Sequence, residues 1–420
     1  MEKRVIGVFL VTIILLGVFV IAQENETEEN IGRSNVVDDS GDKIDKAYQC
    51  LEDQIGKKDK GSLSLSEAIF SILALGGKDK LEDIIKDNKR SGEDCWPKNG
   101  CTIKDSAQVL LAYDRIGKDT ENIESWLLSK AQNAKELTWY IEIDIQNHAA
   151  SECTIKYDNL DRKINIRDDM GLSGDAGRCL SIGYGGYWLK INDNCLDSEF
   201  EVSCDQNFVT ALAYQRGTSG TIFVSSETSS SASLGTTNEK VNSKCFSSGG
   251  GGTGSCDYEG TLWAAVALEK SGNDVSAYIP YLLALSDTNQ QYFPSTFLYV
   301  LTGGEDQSEI IQKQKTGGFW EIIGGENRFY DTSLAMFALS GTGAGEIENA
   351  KSYLIRVQTK DGCWNNNNIR DTAFVLYSGW GRSIGGRGGG GDGGLVSCEE
   401  ANYYCENRFR CSEADRKSVV

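Results

Sequence analysis

The sequence predicts a mainly α fold, an array of helical hairpins interrupted by an inserted all-β, sandwich-like domain. Three observations lead there. A short unit recurs: Gln314-x3-Gly318-x-Trp320 followed by Asp331-Thr332, and Gln358-x3-Gly362-x-Trp364 followed by Asp371-Thr372. Aligned helix starts fall at Ser66, Ser106, Thr261, Thr296, Thr332 and Thr372, in steps of 35 to 40 residues within each block. Such a period marks stacked hairpins, because one hairpin cannot bury its apolar faces alone. Between the blocks the apolar spacing changes from three-to-four to strict alternation.

The elements follow in order. From Asp42, residues Ile44, Ala47, Tyr48, Leu51 and Ile55 keep helical spacing. Ser64 or Ser66 can cap a helix from Glu67 to Leu75, which Gly76-Gly77 ends. Asp105 to Tyr113 and Asn122 to Ala131 form the next hairpin, so residues 42–138 make the first helical part. Trp139-Tyr-Ile-Glu-Ile-Asp-Ile-Gln146 then alternates as a half-buried strand does, and about eight such segments fill 139–225 as a β-sandwich insertion. Residues 226–255 are rich in Ser, Thr and then Gly, and read as a linker. Helical spacing returns over 256–380, so the two flanks of the insertion must lie close in space. A Gly-rich linker spans 381–397, and a Cys-rich tail spans 398–414. Residues 415–420 read as the product of a sequencing adapter, which would truncate that tail.

Composition sets the compartment. Glu2-Lys3-Arg4 precede an apolar run from Val5 to Ala22, so residues 1–22 read as a signal peptide or a membrane anchor. Both place the remainder outside the cytoplasm, secreted or tethered at the cell surface through residues 5–22. Residues 23–41 are an acidic linker that carries the one glycosylation sequon, Asn25-Glu26-Thr27. A formal charge of −19 argues against a nucleic-acid partner, which needs basic patches. Thirteen cysteines fit an oxidising exterior. Spacing leaves their connectivity open, with the close pairs Cys95/Cys101, Cys195/Cys204 and Cys245/Cys256 as the disulfide candidates. No CxxC occurs and His148 is the single histidine, so no metal site and no cofactor are expected.

The Gln-x3-Gly-x-Trp turns and the Asp-Thr helix starts resemble the repeat of the squalene cyclase and prenyltransferase family. The resemblance covers roughly 42–138 and 256–380, with close copies at Gln314 and Gln358 and degraded ones at Trp96 and at Gln132/Trp139. It implies an α/α toroid, with inner helices around a central cavity and outer helices around those. The expected fold class is then a mainly α toroid with an inserted β-sandwich. Each part of the motif also has a structural role. Gln can bond carbonyls at the C-terminus of an outer helix, Gly can end that helix, and Trp can cover the junction. Asp105, Asp331 and Asp371 can cap the inner helices that follow.

The family's catalytic elements do not map onto this chain. The Asp-x-Asp-Asp acid of triterpene cyclases is absent, and the nearest cluster, Asp168-Asp169, lies in the β unit. The zinc set of prenyltransferases and the Gly-Cys-Gly-Glu-Gln thioester are absent as well. Gly249–Gly252 and Gly388–Gly391 lack the context of a phosphate loop. The expectation is a non-catalytic surface protein that binds a protein, a glycan or a small apolar ligand. Asp105, Asp331 and Asp371 are its candidate binding rim. Two alternatives stand beside it: a toroid-class enzyme, terpene cyclase-like or glycan-degrading, and a carrier that binds between toroid and β domain. The central cavity discriminates, since an enzyme or carrier needs it open and a scaffold can fill it.

Overall fold

The computed structural model describes residues 39–247, 254–304 and 306–383. The apolar run at 5–22, the Asn25 sequon, both Gly tracts, Cys398, Cys405, Cys411 and residues 415–420 lie outside them.

Twelve α-helices are present among these residues. They are α1 (Asp39–Lys57), α2 (Leu65–Leu75), α3 (Asp79–Asp87), α4 (Ile103–Arg115), α5 (Glu121–Leu128), α6 (Tyr258–Lys270), α7 (Ile279–Ala284), α8 (Pro294–Thr302), α9 (Asp306–Gln312), α10 (Arg328–Leu339), α11 (Gly345–Val357) and α12 (Ile369–Trp380). The even-numbered helices start sharply because their first turns are capped. Ser64 and Glu67 form a reciprocal capping box on α2. Thr102, Asp257, Asn327 and Asn368 cap α4, α6, α10 and α12. Pro294 opens α8, where its missing N–H costs nothing. Along the chain α2, α4, α6, α8, α10 and α12 each touch the next, and α12 returns to α2. The space they enclose is filled. Phe70 packs against Phe374 at 4.7 Å, Tyr330 at 6.2 Å and Trp263 at 6.4 Å, and Trp263 meets Phe297 at 5.0 Å. Burying each such ring stabilises by about 1.5–3 kcal/mol.

One stitch recurs where hairpins join. Trp96, Trp320 and Trp364 are fully buried. Each donates its indole N–H to a last-turn carbonyl of the helix before it: Ile85 in α3, Ile310 in α9 and Leu354 in α11, at 2.7–2.8 Å. Each donates its backbone N–H, at 3.0 Å, to a hydroxyl in the helix after it: Ser106, Thr332 and Thr372. Gln314 and Gln358 do not bond the carbonyls of the helix they end. Their side-chain amides reach the start of the neighbouring odd helix, Glu346 in α11 and Lys43 in α1. Gly318 and Gly362 have φ of +85° and +102°, and a Cβ on either would lie 2.6 Å from the Asn349 or Lys46 carbonyl oxygen. Glycine is required there twice over, by conformation and by contact. Cys50–Cys363 then ties α1 to the last turn across 313 residues of sequence.

Twelve strands grow from the turn between α5 and α6. They are β1 (Ala131–Asn133), β2 (Leu137–Ile145), β3 (Ser151–Tyr157), β4 (Leu160–Ile166), β5 (Leu172–Gly174), β6 (Leu180–Gly183), β7 (Trp188–Ile191), β8 (Glu199–Cys204), β9 (Phe208–Arg216), β10 (Phe223–Ser231), β11 (Thr237–Lys240) and β12 (Lys244–Phe246). Two five-stranded antiparallel sheets run β10-β9-β2-β7-β6 and β11-β8-β3-β4-β5. Buried Thr210 on β9 donates to Glu239 on β11 at 2.6 Å, linking the sheets. The third sheet is the stem, where β1 pairs with β12 as the chain enters and leaves. Phe246 takes the place of the tryptophan there, donating its backbone N–H to the Thr261 hydroxyl at 3.0 Å. Trp139 does not serve in the stitch. It lies in β2 against Tyr214.

Four expectations are corrected. The chain is not a mainly α toroid: twelve helices stand beside three antiparallel sheets, a mixed α and β architecture whose sheet content a helical toroid does not have. The resemblance to the squalene cyclase and prenyltransferase repeat therefore does not carry its fold over to this chain. Residues 226–247 are no linker, since β10 continues to Ser231 and β11 and β12 follow. Their polar composition hides them because β11 is half solvent-facing. Cys195 and Cys204 are not partners. Cys204 on β8 faces Cys153, its register partner on β3, while Cys195 closes on Cys179 at the base of the β6–β7 hairpin. Strand register overrode nearness in sequence. Cys95–Cys101 and Cys245–Cys256 are bonded. The five disulfides among the described residues fit an extracellular protein. Among the described residues no helix is long and apolar enough to cross a membrane.

Thr332→Val should destabilise the fold by about 1–3 kcal/mol, because the buried Trp320 N–H loses its acceptor. Thr332→Ser should keep most of the stability; urea unfolding of both variants separates the hydroxyl from the methyl. Replacing Cys50 and Cys363 by Ala should cost about 3–5 kcal/mol, given the length of chain they close. Unchanged unfolding midpoints in that double variant would show that the bond does not hold the circuit together.

Candidate functional site

The three predicted rim carboxylates sit in the first turns of their helices, but none is the cap. Thr102, Asn327 and Asn368 are the caps, and the aspartates follow one turn in. Asp105 keeps to itself, accepting the Thr102 hydroxyl at 2.6 Å. Asp331 and Asp371 are both buried. Asp331 accepts the Ile322 amide at 2.8 Å. Asp371 accepts Asn365 at 2.6 Å, Asn327 at 3.1 Å and the Arg370 guanidinium at 3.0 Å. Arg370 also holds Glu326 at 3.1 Å, while Lys104 holds Glu259 at 2.6 Å and reaches Glu326 at 3.7 Å. One network thus joins the N-terminal ends of α4, α6, α10 and α12. It includes Asp371, and it reaches α10 through Asn327.

Asp331 faces a cavity of about 20 Å³, bounded by Glu259, Trp263, Tyr330 and Leu334 among others. That is room for about one water molecule. Burial pushes its carboxyl up to about 7; the Ile322 amide opposes this, and Glu326, Glu321 and Asp371 add to it. The group could hold a proton at neutral pH, but no substrate fits beside it. Two groups of acid and cysteine come within ligand distance of one another, Glu93/Cys95/Cys101 and Glu136/Cys245/Cys256. Their sulfurs are bound in disulfides, so neither offers a thiolate to a metal. Gln314, Gly318, Trp320, Gln358, Gly362, Trp364 and Trp96 all lie in the stitched turns and build structure there.

A different site stands on the β insertion. In β2 the odd residues Ile141, Ile143 and Ile145 point into the core, and Tyr140, Glu142 and Asp144 line the opposite face. Register places β7 beside this face, with Tyr140 opposite Lys190. Trp188 packs on Tyr140 at 5.8 Å and stacks on Tyr184 at 4.1 Å, nearly parallel. Tyr184 and Tyr187 are each 48% exposed. They flank Gly185-Gly186 in the β6–β7 turn, and Tyr184 has φ of +45°. A bulky residue in that region is strained by about 1–3 kcal/mol and persists only where the surroundings hold it. Here Cys179–Cys195 staples the hairpin base, and Asn192 donates its backbone N–H to the Cys179 carbonyl at 2.8 Å. The result is a shallow cleft of about 360 Å³ lined by Tyr184, Tyr187, Trp188, Glu142, Asp144 and Met170. Burial pushes the Glu142 carboxyl up, against the pull of the Trp188 indole, and Asp144 adds to the rise. The sequence carried a signal for it, aromatic residues on the polar face of an alternating strand and around a Tyr-Gly-Gly-Tyr turn.

No family model matches this chain, and no curated protein matches it.

A carboxyl whose folded value lies near 7, against an ordinary 3.8, favours the fold most below the ordinary value. It withdraws that stability as pH rises through the folded one. Asp331→Asn should therefore be more stable than wild type by about 1–3 kcal/mol at about pH 8.5, with the difference shrinking as pH falls below 7 and closing only below about pH 4. Urea unfolding at the two pH values checks this, and a pH-independent difference would place the ionised form comfortably in the fold.

Proposed function

We propose that this chain is an extracellular binding protein, secreted or tethered through residues 5–22, whose β insertion binds neutral glycans at the Tyr184/Tyr187/Trp188 cleft. The observation that carries this reading is a rigid, exposed aromatic platform beside paired carboxyls. The apolar faces of sugar rings stack on such platforms, and hydroxyls hydrogen-bond to carboxyl and phenol groups. A cleft of this size with a few convergent polar groups suits a small ligand. Tyr184 lies flat on Trp188, so the pair presents the outer face of one ring instead of a cage around a cation. A charge of −19 disfavours sulfated or uronic-acid chains. On this reading the helical part holds the insertion in place, and aromatic rings fill its centre.

The test is affinity electrophoresis of the secreted protein in gels containing neutral polysaccharides, followed by calorimetry with the oligosaccharide that retards it. Tyr184→Ala and Trp188→Ala should each weaken binding by about tenfold or more with unchanged thermal melting. Retention of binding in both variants, or binding of trimethylammonium compounds but no sugar, would overturn the proposal.

A further inference from the structure

The two ends of the helical circuit differ. At the N-terminal ends the charged network closes over a cavity of about 20 Å³. At the C-terminal ends of α4, α6, α8, α10 and α12 lies a bowl of about 850 Å³. Its wall includes half-buried Tyr299, Val300, Phe337 and Tyr377, together with Arg115 and Lys270. Phe337 and Tyr377 stack at 6.0 Å. The Arg115 guanidinium lies over Tyr377 at 5.8 Å, and the Lys270 ammonium lies over Phe337 at 5.0 Å. Two cations thus flank one aromatic pair.

Cations at helix C-termini offset the negative end of the dipole, which accounts for the charge of these residues. It does not account for a concavity in the size range of small-molecule sites. Nor does it account for Arg115 Nε, which is buried with no hydrogen-bond partner among the described residues, although Nη2 donates to the Arg382 carbonyl at 2.6 Å. A buried guanidinium N–H is satisfied best by a planar or multidentate anion. Glu269, also on the wall, has a partner, although its Oε2 accepts no hydrogen bond among the described residues. A cationic ligand would meet both Arg115 and Lys270. A neutral apolar one would leave the Arg115 donor unmet.

We infer that this bowl is a binding site for a small organic anion with an apolar body, such as an aryl sulfonate or a medium-chain carboxylate, its acidic head on Arg115 and its body against Phe337, Tyr377 and Val300. The site is independent of the cleft on the β insertion.

Calorimetry of the full chain with anilinonaphthalene sulfonate, and with uncharged N-phenylnaphthylamine, tests this. The sulfonate should bind a single site and bind about tenfold or more weakly to Arg115→Gln, while the uncharged dye is little affected. Val300→Trp, which narrows the bowl, should abolish both, and Tyr184→Ala should affect neither. Equal sulfonate affinity in wild type and Arg115→Gln would overturn the inference, as would unchanged binding in Val300→Trp. If Arg115→Gln lacks a cooperative melt, Lys270→Gln takes its place: weaker sulfonate binding with unchanged binding of the uncharged dye supports the site, and parallel losses overturn it.

Discussion

The last-turn carbonyls of α3, α9 and α11 are short of donors within the helix, and in each a tryptophan indole N–H supplies one. Ile85, Ile310 and Leu354 are met this way, and the backbone N–H of the same tryptophan is received by Ser106, Thr332 or Thr372. One side chain therefore fixes both the end of one helix and the position of the next. Buried donors and acceptors left unmet would each cost about 1–3 kcal/mol, so the stitch sets the spacing of hairpins as firmly as apolar packing does. The glycines at 318 and 362 let the turn approach the neighbouring helix, and Gln314 and Gln358 bond to it. A cysteine stands directly before the stitched aromatic in three turns, at Cys95, Cys245 and Cys363, and each is bonded.

The β insertion depends on the same device. Its stem, β1 with β12, opens from the turn between α5 and α6, and Phe246 closes it by giving its amide to Thr261. An insertion held at such a turn leaves the helical contacts on either side intact, because α4 still meets α6 across it. The sheets can then vary their outer faces without disturbing the helices. The aromatic cleft is the clearest use of that freedom. Its strained turn is supported locally, by a disulfide and by stacking on Trp188, and not by the helical core.

The charged residues at the N-terminal ends illustrate how a cluster can be structural. Lys104 and Arg370 pair with Glu259, Glu326 and Asp371 in a partly buried network. Such pairing mainly prevents the cost of isolated buried charge and adds limited net stability. Asp331 lies beside it with its carboxyl raised, in a cavity too small for a ligand. Aspartate one turn into a helix serves as well as a cap for the dipole, so the same residue pattern arises from either role.

Much of the local structure was legible in the chain. Helical spacing located the hairpins, alternation located the first strands, and Trp320 and Trp364 marked the turns because their spacing repeats. Periodicity carries that information since each element must turn its apolar residues toward a common core. Other features were decided only in three dimensions. β11 is short and polar and β12 is only three residues long, and they are strands because β8 and β1 offer them free edges. Cys204 joins Cys153 because register puts them opposite each other, a fact about two strands 51 residues apart in sequence. The mixed architecture, in place of a mainly α toroid, follows from how much of the chain those sheets recruit. Tyr184 and Trp188 are ordinary strand and turn residues in sequence. They become a platform only when strand pairing brings β6, β7 and β2 side by side, because a surface is a property of neighbours that the chain order does not name.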